Sequence, residues 1–281
     1  MKIWVLLVFL FSPFWSVQTS ETIACSHLKI CHLINELLET EHQTKLPFTY
    51  QGDPHFFEPS PEAIRNFLTV KTLIAGPREL HPWIEGIKNG RKSGQSIFLE
   101  LPQGLKKDYP QSTEEGLSHF WLVPELYCDY REKIFASLKA WSYLSSSAEL
   151  SPCEDSILNL MDARLKKEDT TTPLILSHDA LVPYLQKLGY PHFVLRGSGH
   201  HDQVSPELLK NLTDYLKLHS KVIWVLEEPI HLPPRVLAFK RPVDSEIKIN
   251  IHGTAGEATL DVLKKFQRLL LTELTKLKGI K

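Results

Sequence analysis

Gly52-Asp53-Pro54-His55-Phe56-Phe57-Glu58-Pro59-Ser60-Pro61 sets the terms for the chain on either side of it. Three prolines and one glycine in ten residues exclude a continuous helix or a central strand, because proline lacks a backbone donor and fixes φ. Asp53, placed before Pro54, is driven to extended backbone. His55 therefore follows a stiff corner at the head of a loop. Ser60-Pro61-Glu62 reads as a helix start, with Ser60 as N-cap, Pro61 at the first helical position and Glu62 in the first turn. A lone histidine in a Pro-rich connection carries no chemistry by itself. The partners supplied by the rest of the chain give it meaning.

Working outward, 31–38 has apolar residues at helical spacing, and 45–50 is a strand-like run that ends just before His55. Downstream come a helix over 61–68, a buried strand over 71–75, a helix over 82–90, a strand over 96–101 and a polar loop over 102–115. Next is Ser118-His119-Phe120-Trp121-Leu122-Val123-Pro124-Glu125, where Pro124-Glu125 opens a helix. The segment 126–167 has no strand pattern and reads as two helices. Strands over 173–176, 193–195, 222–226 and 247–251 then alternate with helices over 181–188, from the Ser205 cap onward, and over 259–278. This alternation predicts an α/β fold of two lobes. Each lobe is a mainly parallel sheet flanked by helices, and one long connecting helix joins them. The expected division is a signal segment at 1–22, a first lobe at 23–146, the connecting helix at 147–170 and a second lobe at 171–281. No repeat of short fixed period is present, which excludes a solenoid.

Lys plus Arg is 32 and Asp plus Glu is 33, a net charge of −1. That balance excludes the basic surface a nucleic-acid partner would require. Residues 1–20 have a positive start at Lys2, an apolar run from 3 to 15 and a polar end at Gln18-Thr19-Ser20. They read as an export signal, with a retained anchor as the alternative. Thr22-Ile23-Ala24-Cys25 adds a weak lipoprotein-like site, which would put a lipid on Cys25. The four cysteines, Cys25, Cys31, Cys128 and Cys153, would meet an oxidising compartment. They allow three pairings, among which sequence does not choose.

His55, His119, His178 and His252 share one feature: each stands just past an apolar run or beside a proline, two in each half of the chain. In open α/β sheets the ligand site lies outside the carboxyl ends of the strands. Two facing lobes would bring four such loops together, and imidazoles from four segments would fix the coordination of a metal ion. His200-His201, in a Gly/Ser/Asp loop, reads as a solvated turn. His81, beside Pro82, reads as a surface residue, and Trp83 and Trp121 as packing in the lobe cores or at the cleft rim.

The 52–61 stretch followed by the Pro82-Trp83 helix resembles the opening of the zinc- and manganese-binding substrate-binding proteins of ABC importers, cluster A-I or family 9 of that class. His119-Phe-Trp-Leu-Val-Pro-Glu resembles their second metal motif, His178-Asp179-Ala180 their third, and Glu228-Pro229 their later Glu-Pro. The resemblance runs from about residue 49 to the C-terminus. It implies a metal buried between two lobes joined by a long helix, with little hinge motion. It makes His55, His119 and His178 the first three ligands. The fourth is Asp in the family's pattern; here His252 aligns with it, with Asn250 or a water as substitutes. Val123 also departs from the pattern, and the acidic, His-rich loop of some zinc members is missing.

Imidazole suits zinc, copper, nickel and iron, whereas manganese favours carboxylates. Zinc is therefore expected before manganese or ferrous iron, with Asp179 or Glu228 holding the second ring nitrogen of a ligand histidine. The function implied is a periplasmic, monomeric solute-binding protein that hands a divalent metal to an ABC permease in the membrane. Two alternatives stand beside it: an exported zinc hydrolase or lyase, and a metal-sequestering or adhesive surface protein. The chain contains neither HExxH nor Gly-x-Ser-x-Gly, which counts against the enzyme.

Overall fold

The short apolar strands alternate their side chains between two covered faces, as buried parallel strands must. In Ile23–Cys25 (β1), Ile23 and Cys25 enter a large central core while Ala24 joins an outer one. The same alternation holds in Leu174–Leu176 (β5), where Leu174 and Leu176 face the central core and Ile175 an outer one. The computed structural model describes residues 22–38, 44–46, 57–153, 156–168, 170–195, 205–228, 232–252 and 257–278.

β1 lies between Thr44–Lys45 (β2) and Thr72–Ala75 (β3), and β3 pairs with Gln95–Phe98 (β4). The second sheet repeats this order. β5 lies between His192–Val194 (β6) and Ile223–Glu228 (β7), and β7 pairs with Ser245–Asn250 (β8). All these pairings are parallel, giving orders β2-β1-β3-β4 and β6-β5-β7-β8. Around the first sheet are Leu28–Leu38 (α1), Pro61–Thr69 (α2), Ile84–Gly90 (α3), Leu105–Asp108 (α4), Glu114–Ser118 (α5) and Pro124–Ala140 (α6). Ser156–Lys167 (α7) precedes the second sheet, followed by Val182–Leu188 (α8), Pro206–Leu218 (α9), Pro234–Leu237 (α10) and Asp261–Lys278 (α11). The fold is thus two parallel four-stranded sheets flanked by helices, as the alternation predicts.

Local signals act as expected. Ser60 Oγ accepts the Ala63 N–H at 3.2 Å and Ser205 Oγ the Leu208 N–H at 3.0 Å, each followed by proline in the first turn. The inner face of α7 turns to the second lobe: Gln267 Nε2 on α11 donates to Leu158 O and, at 2.7 Å, to Asp162 Oδ1.

Three expectations change. Residues 23–25, which open the first lobe but were given no strand above, form an inner strand of the first sheet. Cys25 is fully buried and disulfide-bonded to Cys31, so its sulfur is not available to a lipid. The second pair is Cys128–Cys153, and no cysteine is left free. The polar loop over 102–115 contains α4 and the start of α5, because Thr113 Oγ1 accepts the Gly116 N–H at 2.9 Å and caps a turn there.

The central core is continuous across both sheets. It runs from Ile23 and Ile74 through Trp121 and Tyr130 to Leu176, Val225 and Phe266. Trp121 lies in a 3-10 turn, Phe120–Leu122, and its Nε1–H donates to Ile251 O at 2.7 Å. Nearby, Glu36 Oε1 accepts the Thr259 N–H at 2.6 Å, and the buried Lys29 ammonium reaches Ala258 O at 3.4 Å. Among the described residues, no helix is long and apolar enough to cross a membrane.

Candidate metal centre

His119 is held by the end of α5. The helix stops at Ser118, and His119 leaves it at φ −76°, ψ 61°, turning the chain into the Trp121 turn. Its Nδ1 lies 3.1 Å from Glu115 O. A carbonyl only accepts, so Nδ1 carries the proton and the lone pair sits on Nε2, the arrangement that orients a ligating imidazole.

His178 is delivered by β5. Ser177 N–H continues the ladder to Val225 O at 3.0 Å, and Ser177 Oγ accepts the Glu227 N–H at 2.9 Å. These bonds pin the strand end to β7 and fix where His178 leaves it. The His119 and His178 rings come from different lobes, and their centres are 5.3 Å apart. Two imidazoles on one ion, each about 2.1 Å from it, place their ring centres about 5 Å apart.

Three carboxylates crowd His178. Glu115 Oε1 is 3.7 Å and Asp179 Oδ1 3.5 Å from Nε2, and Glu227 Oε2 is 3.4 Å from Nδ1. Burial alone would lower the pKa of this ring. Hydrogen bonds donated by the ring to Glu115 and Glu227, with the charges of Glu227 and Asp179, outweigh it and hold the ring well above the ordinary histidine value. Asp179 is pushed up by burial and by the charge of Glu115, against the opposing pull of His178 and the Thr113 hydroxyl. A dication meets the same negative field.

His252 follows β8. Its ring centre is 6.0 Å from that of His119, and its N–H donates to Asn250 Oδ1 at 3.0 Å. Asn250 is thereby engaged with the backbone of the next residues. His119, His178 and His252 are thus gathered, while His55 and the His200-His201 pair lie outside the described residues. Among the described residues, no three His, Cys, Asp or Glu side chains already stand as a metal cage.

Two histidines that sequence reading assigned elsewhere or passed over join this group. His81, expected at the surface, is fully buried, and its ring packs 5.5 Å from His27 and 5.2 Å from Trp83. The turn after β3 points inward at the sheet's carboxyl edge, and this overrides the turn-like character of His-Pro. His27 is 1% exposed and stacks on Trp121 at 4.8 Å. A signal for it was present: Ile23-Ala-Cys-Ser-His27 repeats the form of Leu174-Ile-Leu-Ser-His178. Asp179, expected at the second ring nitrogen, faces Nε2 of His178 instead. Glu227 does what was expected of Glu228, whose side chain lies outside the described residues.

No protein-family model matches the sequence, and no curated protein matches it. Solved structures do. A mutant, Mn-bound form of the periplasmic metal binding protein from candidatus liberibacter asiaticus superposes with a TM-score of 0.71 at 13% identity, over 90% of this chain and 99% of that one. The periplasmic zinc binding protein TroA from Treponema pallidum gives 0.67 at 14%, and the laminin-binding protein Lbp of Streptococcus pyogenes 0.66 at 14%, with the same shares covered. At these identities the likeness is one of fold: a two-lobed architecture that in these proteins accompanies metal or ligand binding.

Proposed function

We propose that this chain is an extracytoplasmic solute-binding protein. In this reading it captures a divalent transition metal between its lobes and delivers it to an ABC permease. The cargo is zinc before manganese or ferrous iron, and the ligands are His55, His119, His178 and His252. The first and second lobes, 23–146 and 171–281, act as the two jaws, joined through 147–170. The observation that carries this reading is the meeting of His119 and His178, one from each lobe, at 5.3 Å between ring centres. His119 keeps its Nε2 lone pair by donating from Nδ1 to Glu115 O, and Glu227 stands where it can accept a hydrogen bond from His178 Nδ1. Fold neighbours described as zinc- or manganese-binding periplasmic proteins support the same cargo class and an exported location.

The imidazole-rich donor set favours zinc over manganese, while Glu115, Asp179 and Glu227 offset the ion's charge. A hydrolase or lyase would need an open coordination position and a base free to reach substrate. His119 is fully buried and His178 is enclosed by its acids, an arrangement suited to holding an ion. The test is metal content and affinity of the mature chain for zinc and manganese, begun at Thr22 so that β1 is retained. One tight zinc equivalent, lost in His178→Ala and weakened in His252→Ala, is the expected result. Zinc held equally by wild type and both variants would overturn the assignment.

A further inference from the structure

The two lobes repeat each other at the level of single hydrogen bonds. Ser26 N–H donates to Ile74 O at 3.2 Å, as Ser177 N–H does to Val225 O at 3.0 Å. Ser26 Oγ accepts the Gly76 N–H at 2.8 Å, as Ser177 Oγ accepts the Glu227 N–H at 2.9 Å. His27 Nδ1 accepts the Lys29 N–H at 3.1 Å, as His178 Nδ1 accepts the Ala180 N–H at 3.2 Å. Every partner is displaced by the same 151 residues (178 minus 27, 227 minus 76, 180 minus 29). His27 is therefore the first lobe's counterpart of His178, set at the carboxyl end of the equivalent strand with its ring fixed by the same backbone contact.

His27 also has an imidazole neighbour. The His81 ring lies 5.5 Å from it, close to the 5.3 Å between His119 and His178. His252 stands between the two pairs, 6.1 Å from His27 and 6.0 Å from His119. His27 and His81 are both at least 99% buried, and Trp121 walls one face of His27.

We infer that His27 and His81 form a second metal-binding pair, contiguous with the proposed centre through His252. It would take a transition-metal ion that favours nitrogen ligands, such as zinc. The inference extends the reading of His119 and His178 as metal ligands. The second pair has no counterpart of Glu227, because Gly76 stands at that position. Less negative charge faces the ion, so the second pair binds more weakly than the first and fills after it. For an ion to bind either His27 or His178 through Nε2, the proton must leave that atom and Nδ1 must become the donor. His178 has Glu227 to receive that hydrogen bond, a second reason for the order of filling.

Zinc titration of the chain from Thr22, with bound metal counted by elemental analysis, tests this directly. Cobalt(II) absorption, recorded per equivalent added, reads the ligand set of each ion. Wild type is expected to take two ions in sequence. His27→Gln and His81→Gln, which keep bulk in the core, should weaken the second by at least about tenfold and leave the first. Circular dichroism and thermal unfolding establish that each variant is folded, and His81→Asn serves if His81→Gln is not. A single ion, lost in His178→Ala and unchanged in both glutamine variants, overturns the second pair and leaves the first standing. Two ions that both survive the glutamine variants also overturn it. No bound ion in wild type overturns the pair together with the reading it extends.

Discussion

His178 is the residue at which proton and metal compete. Its ring is surrounded by Glu115, Asp179 and Glu227, and its pKa is held well above the ordinary value. A group raised in this way contributes stability in full below its unfolded pKa and loses it as pH rises through the folded value. The metal-free protein therefore gives up this contribution on the alkaline side, where the deprotonated ring becomes available to zinc. Zinc affinity should fall about tenfold per pH unit below the raised pKa if one proton is displaced. The thermal stabilisation produced by zinc should grow as pH rises. Calorimetric titrations over roughly pH 5.5 to 8.5, in two buffers of different ionisation enthalpy, measure the protons released. Release of well under one proton per zinc, or an affinity that does not change with pH, would place the coupled proton elsewhere. At this scale much was legible: His119, His178 and His252 each follow or border an apolar run, and the structure gathers them. His81 was not, because a His-Pro pair reads as a turn and burial of that turn depends on neighbours distant in sequence.

Among the elements, α5 shows how a short helix positions two groups at once, Glu115 and His119. It lies so close to the start of the second lobe that a Cβ on Gly116 would be 2.9 Å from Asp179 O and 3.2 Å from its carboxylate. Backbone on one side and a held carboxylate on the other leave no flexible atom to yield. Gly116→Ala should therefore force the two segments apart, destabilising by about 1–3 kcal/mol and weakening zinc by tenfold or more, since α5 carries His119. Gly86→Ala is the matched control. Nothing lies within 4 Å of its Cβ position inside α3, and a gain of up to about 1 kcal/mol is expected from helix propensity. Thermal unfolding and zinc affinity, measured on both variants, check the contrast. Equal effects would mean that lobe contact at Gly116 does not set the site. The capped helices α2 and α9 were readable from Ser-Pro-Glu alone, because capping is a local interaction. β1 was not. It is three residues long and lies beside an apolar export-like run, and only parallel pairing with residues about 20 and 50 positions away makes it a strand.

Across the whole molecule, the alternation of short apolar runs with helices was enough to predict two parallel sheets. Their identical strand order, and the 151-residue correspondence within it, depend on pairings that no local pattern encodes. The two sheets share one apolar core instead of meeting through a wet hinge, and Trp121 is its fully buried centre. Its indole stacks on His27 and its Nε1–H donates to Ile251 O, just before His252. The Glu36 to Thr259 and Lys29 to Ala258 bonds close the same seam from α1. Opening this interface would expose apolar surface and strand buried polar groups together, so the lobes should move little when the ion leaves. Small-angle scattering of zinc-loaded and metal-free protein should give radii of gyration within about 1 Å of each other. Heating should unfold both lobes in a single cooperative transition. Trp121→Phe keeps an aromatic ring against His27 but deletes the donor to Ile251 O, leaving a buried carbonyl short of a partner at a cost of about 1–3 kcal/mol. If the shared core is what couples the lobes, that variant should lower the single transition or split it in two, and should loosen His252 enough to weaken zinc. A wild type that already unfolds in two steps, or whose radius grows by several ångströms on metal removal, would mean that the lobes are hinged despite their common core.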